Sequence, residues 1–345
     1  MRILIIGGTG FIGRVLATQL DRMGHKVTVF HRGQTTGEPP SSVDHISGER
    51  RQIPELAARF RRLAPDAVID VILSSGRQAQ ALMDTFKGIA GRIVALSSID
   101  VYRACGVLHA SEPGPLEPVP LTEDSPLRQN PQTYPPEVLR KAQEMFSWLD
   151  DEYNKIPVEH AIMSDPDLPG AVLRLPMVYG PGDRGHRLFP ILKRIDDGRP
   201  TILLEETFAR MRAPRGYVEN VAAAVTLVAV SDRAKGRTYN VAEPEAFSEL
   251  EWTQKIGQAA GWRGQVIAVP KYRAPAHLKL PGNFEQHWTT DSTRIRQELG
   301  YCEVVPLSEA LERTIAWERA HPPDEIDPKQ FDYAAEDALL AEWKP

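Results

Sequence analysis

The chain has 345 residues, of which 42% are hydrophobic and 25% are charged, and its formal net charge at pH 7 is −5. This composition is typical of a soluble globular protein, and the acidic balance disfavours nucleic acid or an anionic membrane as the main partner. The two cysteines, Cys105 and Cys302, exclude a disulfide framework and fit a reducing compartment. Because the first apolar run is short and no stretch reaches the roughly twenty apolar residues of a membrane span, we expect a cytoplasmic protein.

A glycine-rich turn follows the first predicted strand, Arg2–Ile6. Gly7, Gly10 and Gly13 are evenly spaced, a helix is predicted directly after them, and a second strand covers Lys26–Phe30. In such a unit the glycines permit a tight turn, let the backbone approach a pyrophosphate, and let helix and strand pack closely. The alternative is a tight turn that binds nothing. We predict that the turn binds a dinucleotide through Gly7, Thr9, Gly10, Phe11, Ile12 and Gly13.

Strands and helices alternate through the first third of the chain. After a loop at Gly33–Ser42, the pattern predicts strands at Val43–Ser47, Ala67–Leu73 and Arg92–Ser97, and helices at Ile53–Leu63 and Arg77–Phe86. Helices at Glu137–Leu149 and Glu152–Met163 and a strand at Ala171–Leu175 follow. The proline-rich segment 104–136 is predicted to be a long irregular loop over the carboxyl edge of the sheet.

This alternation predicts the fold class α/β, with a Rossmann-type doubly wound parallel sheet and a smaller C-terminal substrate-binding α/β domain. The dinucleotide-binding domain should cover residues 1–180 together with parts of 215–245. The smaller domain should cover residues 181–320, and a tail should cover 321–345. In a sheet of this kind, Val71, Ile72 and Leu96 should line the cofactor.

Six motifs occur in a fixed order: GGTGFIG at 7–13, ALSSIDVY at 95–102, YNKIPVE at 153–159, LRLPMVYGPGD at 173–183, RGYVENVAAA at 215–224 and YNVAEPEAFS at 239–248. With these motifs, residues 1 to about 315 resemble the extended short-chain dehydrogenase/reductase family, the NAD(P)-dependent epimerase/dehydratase group. The resemblance implies a tyrosine that moves a proton, a lysine that holds the nicotinamide ribose and lowers the tyrosine pKa, and a serine that orients the substrate oxygen. It also implies a homodimer.

The resemblance assigns the serine to Ser98 and the lysine to Lys155. The alternatives are a serine that caps the strand end and a solvated lysine on a helix. A rival register would use Lys141, but it places Glu137 at the tyrosine position.

The tyrosine of the family lies one helical turn before the lysine, and here that position is Asp151. Tyr153 lies two residues before Lys155, which on a regular helix is about 200° around the axis. Because Pro157 is comfortable only in the first turn of a helix, a helix that begins near Tyr153 would let its ring turn inward. Tyr134, at the end of the proline-rich segment, is the alternative, and a site without a tyrosine is another.

Asp100 is a second candidate for the proton-transfer group. Strand alternation would place it on the same face as Ser98. In the sugar dehydratases of the family an acidic residue at this place serves as a base, but the acid next to it is replaced here by Ile99. The alternative is a carboxylate that caps the turn into Val101 and Tyr102.

The end of the second strand bears on the choice of nucleotide. An acidic residue there would bind the ribose 2′-hydroxyl of NAD, but the chain has His31 followed by Arg32. A guanidinium suits a 2′-phosphate, so NADP is predicted, with NAD as the alternative. Glu49 and Arg50 resemble the segment of the family that contacts adenine.

The family resemblance also suggests residues for the substrate side. Basic residues in these regions hold the diphosphate in relatives that use nucleotide sugars, and here they are Arg184, His186, Arg187, Arg212 and Arg215. We expect a small, anionic substrate and no metal ion.

The predicted function is that of an NADP(H)-dependent oxidoreductase or epimerase that acts on a secondary alcohol or ketone of a sugar-like metabolite. A degenerate nucleotide-binding sensor or scaffold and a sugar dehydratase that uses Asp100 are the alternatives.

Overall fold

A parallel β-sheet forms the centre of the computed structural model, which describes residues 1–33 and 40–343. Most of the predicted loop Gly33–Ser42 and the last two residues of the predicted tail 321–345 lie outside the described residues.

In chain order, the strands of the described residues are Arg2–Ile6 (β1), Lys26–His31 (β2), Asp44–Ser47 (β3), Ala67–Asp70 (β4), Ile93–Ser98 (β5), Gly170–Leu175 (β6), Met177–Tyr179 (β7), Thr201–Glu205 (β8), Arg215–Tyr217 (β9), Arg237–Asn240 (β10) and Gln265–Val269 (β11). The α-helices of the same residues are Phe11–Arg22 (α1), Ala57–Leu63 (α2), Gly76–Phe86 (α3), Arg103–Leu108 (α4), Pro136–Met145 (α5), Lys155–Ile162 (α6), Phe189–Asp196 (α7), Glu206–Arg210 (α8), Val218–Val230 (α9), Glu249–Ala259 (α10), Thr293–Leu299 (α11), Leu307–Ala320 (α12) and Tyr333–Ala341 (α13).

Across the described residues, the central sheet runs in the order β3-β2-β1-β4-β5-β6-β10, with parallel neighbours throughout. The direction of winding changes between β1 and β4, and doubly wound sheets bind ligands at the carboxyl ends of the strands beside such a point. The predicted Rossmann-type sheet is confirmed.

Both faces of this sheet are covered by helices. Ile3 and Ile5 of β1 pack in the cluster that contains α1 and α9, whereas Leu4 and Ile6 pack in the cluster that contains α3 and α6. Burial on both faces explains why β1 is a continuous apolar run rather than an alternating one.

The C-terminal part of the chain forms a smaller α/β unit beside the sheet. Within the described residues it contains the parallel pair β8 and β11, and β7 pairs with β9. Helix α13 packs on the first pair, where Leu339 joins Leu203 and Val269. The predicted smaller α/β domain is therefore present, while its bounds stay a prediction.

The structure corrects the bounds of three predicted helices. The helix predicted at Glu152–Met163 begins only at Lys155, because the side chain of Asn154 accepts a hydrogen bond from the N–H of Ile156 and caps it. The helices predicted at Ile53–Leu63 and Glu137–Leu149 are α2, preceded by short 3-10 turns, and α5.

The predicted irregular segment 104–136 includes most of α4 and the first residue of α5. Between them, residues 109–135 form neither helix nor regular strand. Across residues 1–33 and 40–343, no helix has both the length and the apolar character that crossing a membrane requires.

Candidate functional site

A cleft of about 1500 Å³ opens at the carboxyl edge of the sheet, where β1, β4 and β5 end. The predicted cofactor residues all line it: Gly7, Thr9, Gly10, Phe11, Ile12, Gly13, His31, Arg32, Glu49, Arg50, Val71, Ile72, Leu96 and Lys155. The fold thus brings together residues that are distant in the chain. Their contacts with a cofactor stay a prediction.

The glycine turn has the geometry that a pyrophosphate requires. Gly7 has φ +85°, and a Cβ on Gly13 would lie 2.2 Å from the carbonyl oxygen of Gly7. A Cβ on Gly10 would meet no atom closer than 3.5 Å, so it would only fill space beside the turn. Helix α1 begins here without an acidic residue in its first turn, and its free N–H groups favour an anion. These residues fit a dinucleotide.

The carboxyl end of β2 carries His31 and Arg32. His31 Nδ1 accepts a hydrogen bond from the Gly33 N–H at 3.0 Å, and His31 Nε2 lies 2.9 Å from His45 Nδ1. Burial lowers the pKa of His31, and the nearby His45 lowers it further. Arg32 reaches across the cleft and donates to the hydroxyl of Ser147 at 2.8 Å.

A carboxylate that the sequence analysis missed lies beneath this end of the cleft. Asp70, the last residue of β4, is fully buried and pairs with Arg50 at 2.6 Å. The exposed Glu49 instead pairs with Arg51 at 2.8 Å. The only sequence signal for Asp70 is a charged residue at the end of an apolar strand.

Two phenols converge on one carboxylate at the other end of the cleft. Asp100 Oδ2 accepts hydrogen bonds from Tyr153 at 2.8 Å and from Tyr134 at 3.2 Å, and the two rings stack with centroids 6.0 Å apart. Burial raises the pKa of both phenols well above their usual range, and the Asp100 charge raises each further. Tyr153 and Tyr134 were weighed as alternatives, whereas the structure places them side by side.

Ser98 and Asp100 do not lie on one face of the same strand, as strand alternation would have it, because Asp100 lies beyond the strand. Strand β5 ends at Ser98, and Ile99–Val101 form a 3-10 turn. The Ser98 hydroxyl accepts the Asp100 N–H at 3.2 Å, so it is the serine that caps this turn and not the Asp100 carboxylate. Both residues still line the cleft.

Lys155 lies at the first position of α6 and is only 4% exposed. Its ammonium group donates to the carbonyl oxygens of Leu73 and Leu96, the latter at 3.1 Å, and lies 5.8 Å from the centroid of the Tyr153 ring. Burial lowers its pKa to about 8, although the Asp100 charge opposes this. Because α6 starts at Lys155, Tyr153 precedes the helix and its ring turns into the cleft.

Three of the predicted substrate residues line the cleft. Arg184 donates to the carbonyl oxygen of Met145 at 3.4 Å, and Arg187 pairs with the buried Asp183 at 2.5 Å. His186 has φ +45°, pairs with Glu318 at 2.7 Å and stacks on the indole ring of Trp317.

Arg212 and Arg215 do not line the cleft, so the structure does not bring them together with the other predicted substrate residues. Arg215 is buried and pairs with Glu249 at 2.6 Å. Arg212 donates to the carbonyl oxygen of Ala246 and pairs with Glu251 at 3.0 Å. Both guanidinium groups thus hold α10 against the segment 212–215 of the same chain.

Further aromatic side chains, which were not predicted from the sequence, surround the phenols. His109 from the segment 104–136 lies with its ring 5.5 Å from that of Tyr134 and 6.3 Å from that of Trp288, and all three line the cleft. No motif marks His109 or Trp288, and only the length of the irregular segment pointed to a function there.

Comparison with known proteins places this geometry in context. The model of the NAD-dependent epimerase/dehydratase family matches residues 3–242. A dTDP-glucose 4,6-dehydratase from Streptomyces griseus is 26% identical over 92% of this chain and 94% of that protein. A 2′-dehydrokanamycin reductase from Streptomyces kanamyceticus is 24% identical over 81% of this chain and 72% of that protein.

A solved structure shares the fold. The UDP-glucuronic acid 4-epimerase from Bacillus cereus, in complex with UDP-glucuronic acid and NAD, superposes with a TM-score of 0.67 at 17% identity. The match covers 93% of this chain and 99% of that one.

Proposed function

Because the chain belongs to the NAD-dependent epimerase/dehydratase family, whose members are enzymes that use a nicotinamide dinucleotide, we propose that it is an oxidoreductase or epimerase with NADP(H) as its cofactor. It acts on a secondary alcohol or ketone of a sugar-like, anionic metabolite. The observation that carries the proposal is the 2.8 Å hydrogen bond from Tyr153 to Asp100, beside Ser98 and Lys155 in the cleft that the glycine turn closes.

Proton transfer is assigned to the pair of Tyr153 and Asp100. Since burial keeps Tyr153 protonated, its phenol passes its own proton to Asp100 Oδ2 while it accepts the proton of the substrate hydroxyl. The reverse transfer protonates the oxygen when a ketone is reduced. The Ser98 hydroxyl, which uses a lone pair for the Asp100 N–H, keeps its own hydrogen for the substrate oxygen.

The bound nicotinamide supplies the hydride acceptor or donor. The buried ammonium of Lys155 favours negative charge at this end of the cleft, since its pKa of about 8 leaves it mostly protonated near neutral pH. Arg184 and Arg187 present guanidinium groups, and His186 an imidazole, on the side of the cleft where an anionic group of the substrate would bind.

NADP is proposed over NAD on the basis of β2. This strand ends in His31, which Arg32 follows, and neither is a carboxylate. Arg32 lines the cleft, and its partner among the described residues is the neutral hydroxyl of Ser147. A guanidinium in this place suits a 2′-phosphate. The solved relative from Bacillus cereus contains NAD, so the preference requires a direct measurement.

A dehydratase is the second candidate, because Asp100 Oδ1 is buried and has no hydrogen-bond partner among the described residues. A carboxylate with a free oxygen is suited to act as a base, and the similar protein from Streptomyces griseus is a dTDP-glucose 4,6-dehydratase. A dehydratase would form a keto product without net consumption of cofactor.

To test the proposal, the purified protein is incubated with NADP or NADPH and a panel of uridine- and thymidine-diphosphate sugars. Cofactor absorbance reports net redox change, and product analysis reports epimerisation or loss of water. We expect Tyr153→Phe and Asp100→Asn to lower kcat by about 100-fold or more, and the matched Tyr134→Phe to lower it by less than about tenfold. Cofactor affinity should stay the same in all three.

Two outcomes would contradict the proposal. Normal turnover in Tyr153→Phe would remove the assigned proton path. Tight cofactor binding without turnover of any sugar would favour the sensor or scaffold.

A further inference from the structure

One buried guanidinium connects the chain segments that carry the proton-transfer groups. Arg128 lies in the irregular part of the segment 104–136 and is only 5% exposed. Its Nε donates to the carbonyl oxygen of Asp100 at 2.5 Å, and its Nη1 donates to that of Asn130 at 2.6 Å. Its Nη2 donates to Thr133 Oγ1 at 2.8 Å and to Asn154 Oδ1 at 3.3 Å.

Two of the four acceptors of Arg128, Thr133 and Asn154, are sequence neighbours of the phenols and the lysine. Thr133 precedes Tyr134, and its hydroxyl also donates to the carbonyl oxygen of Tyr153 at 3.3 Å. Asn154 lies between Tyr153 and Lys155 and caps α6. The guanidinium therefore fixes the backbone of Asp100 relative to both tyrosines.

Arg128 also carries a charge that is not paired locally. Among the described residues, no carboxylate oxygen lies within ion-pair distance of its guanidinium, and its acceptors are carbonyl, amide and hydroxyl oxygens. In a buried environment the field of such a cation extends to nearby titratable groups. It acts on Tyr153, where it opposes the rise in pKa caused by burial.

We propose that Arg128 is a positioning residue of the active site, which holds Asp100, Tyr134 and Tyr153 in register and supplies a second positive charge behind them. The inference rests on the proposed function for its catalytic meaning. Arg128 does not line the cleft, so it acts through the residues that it holds. A lysine would keep the charge but could not reproduce a planar fork that reaches separate acceptors.

The experiment compares Arg128→Lys and Arg128→Gln with the matched control Arg61→Gln, an exposed arginine of α2. We expect kcat to fall by about tenfold to 100-fold in both Arg128 variants, with KM and the dissociation constant of NADPH within about threefold of wild type. The glutamine should also move the basic limb of the kcat/KM profile to higher pH, because it removes the cation that opposes the rise in the pKa of Tyr153. The lysine should leave that limb near its wild-type position.

A spectroscopic readout separates this inference from the proposed function. Tyrosine labelled at the ring carbon that bears the hydroxyl gives an NMR signal for Tyr153, assigned with Tyr153→Phe. That signal should shift in Arg128→Gln and not in Arg61→Gln, whether or not a substrate is turned over. If the Tyr153 signal shifts in Arg128→Gln but the wild-type protein turns over no sugar, the positioning role is retained and the proposed function is rejected.

Two results would overturn the inference. One is an unmoved Tyr153 signal in both Arg128 variants. The other is a lower melting temperature with an unchanged kcat and pH profile, which would make Arg128 a purely structural residue. If Arg128→Gln does not fold, the Arg128→Lys variant decides the question through its kcat and its Tyr153 signal.

Discussion

Arg50 and Asp70 form an ion pair at the cleft, with 2.6 Å between Nη2 and Oδ1. The same carboxylate oxygen accepts the Ile72 N–H at 3.0 Å, while Oδ2 is buried without a hydrogen-bond partner among the described residues. Among the described residues, Arg50 is the one cationic side chain within ion-pair distance of Asp70. The pair joins the segment after β3 to the end of β4, beside the proposed adenosine site.

Removal of this arginine should destabilise the fold. We expect Arg50→Ala to lower the free energy of unfolding by about 3 kcal/mol, because it leaves a buried carboxylate without its cation. The neighbouring Arg51, whose side chain is 82% exposed, is the control, and Arg51→Ala should change the same quantity by less than about 0.5 kcal/mol. Urea unfolding measures both, and equal effects of the two substitutions would contradict the assignment.

The glycine turn offers a second matched pair. Gly13→Ala should destabilise the protein strongly, since its Cβ would lie 2.2 Å from the Gly7 carbonyl oxygen. Gly10→Ala should leave the melting temperature nearly unchanged but weaken NADPH binding, because its Cβ would occupy the space for the pyrophosphate. Thermal unfolding and calorimetric titration test the two effects. NADPH binding to Gly10→Ala at wild-type strength would mean that the phosphates bind elsewhere.

The buried ammonium of Lys155 should make cofactor binding depend on pH. Its pKa is about 8, so it loses its proton under conditions where an ordinary lysine remains charged. The anionic dinucleotide favours the protonated form, and affinity should therefore fall as the pH rises above 8, by up to about tenfold per pH unit. Titrations of wild type and Lys155→Met across this range measure the effect.

The methionine variant should bind more weakly, with no such dependence on pH, and should lose most of its turnover. Lys141→Met, on the exposed side of α5, serves as the control and should behave like wild type. A flat profile for the wild-type protein would place the ammonium outside the cofactor site.

Arg32 should decide between the two nicotinamide nucleotides. We expect Arg32→Ala to weaken NADPH binding by about tenfold to 100-fold, the value of charge-assisted hydrogen bonds to a phosphate, and to change NADH binding by less than about threefold. Ser147→Ala removes the present partner of Arg32 and should change neither affinity appreciably. Equal losses for both nucleotides in Arg32→Ala would reject the assignment of the 2′-phosphate to this arginine.

The fold could be predicted from the sequence because its main signals are local. The apolar run of β1, the glycines at 7, 10 and 13, and the next strand occupy one short stretch, and each follows from short-range geometry. The start of α6 was harder to predict. Pro157 indicated a late start, but Lys155 became the first residue only because the side chain of Asn154 caps the helix.

The contacts within the site could not be predicted, since they depend on long-range pairing. Arg215 was interpreted as a substrate residue, yet its partner Glu249 lies 34 residues away and takes up its charge. The same limit applies to Arg128, which lies in no motif and whose acceptors belong to three separate segments. Residue type indicates that a charge exists, whereas only the fold reveals which atoms compensate it.

The cleft takes one wall from the opening turn and another from Trp317 and His321, near the far end of the chain. A nascent polypeptide can form β1 and α1 early in synthesis, but this second wall is missing until α12 has left the ribosome. The groove is therefore complete only late in biogenesis, after every strand of the central sheet has been synthesised.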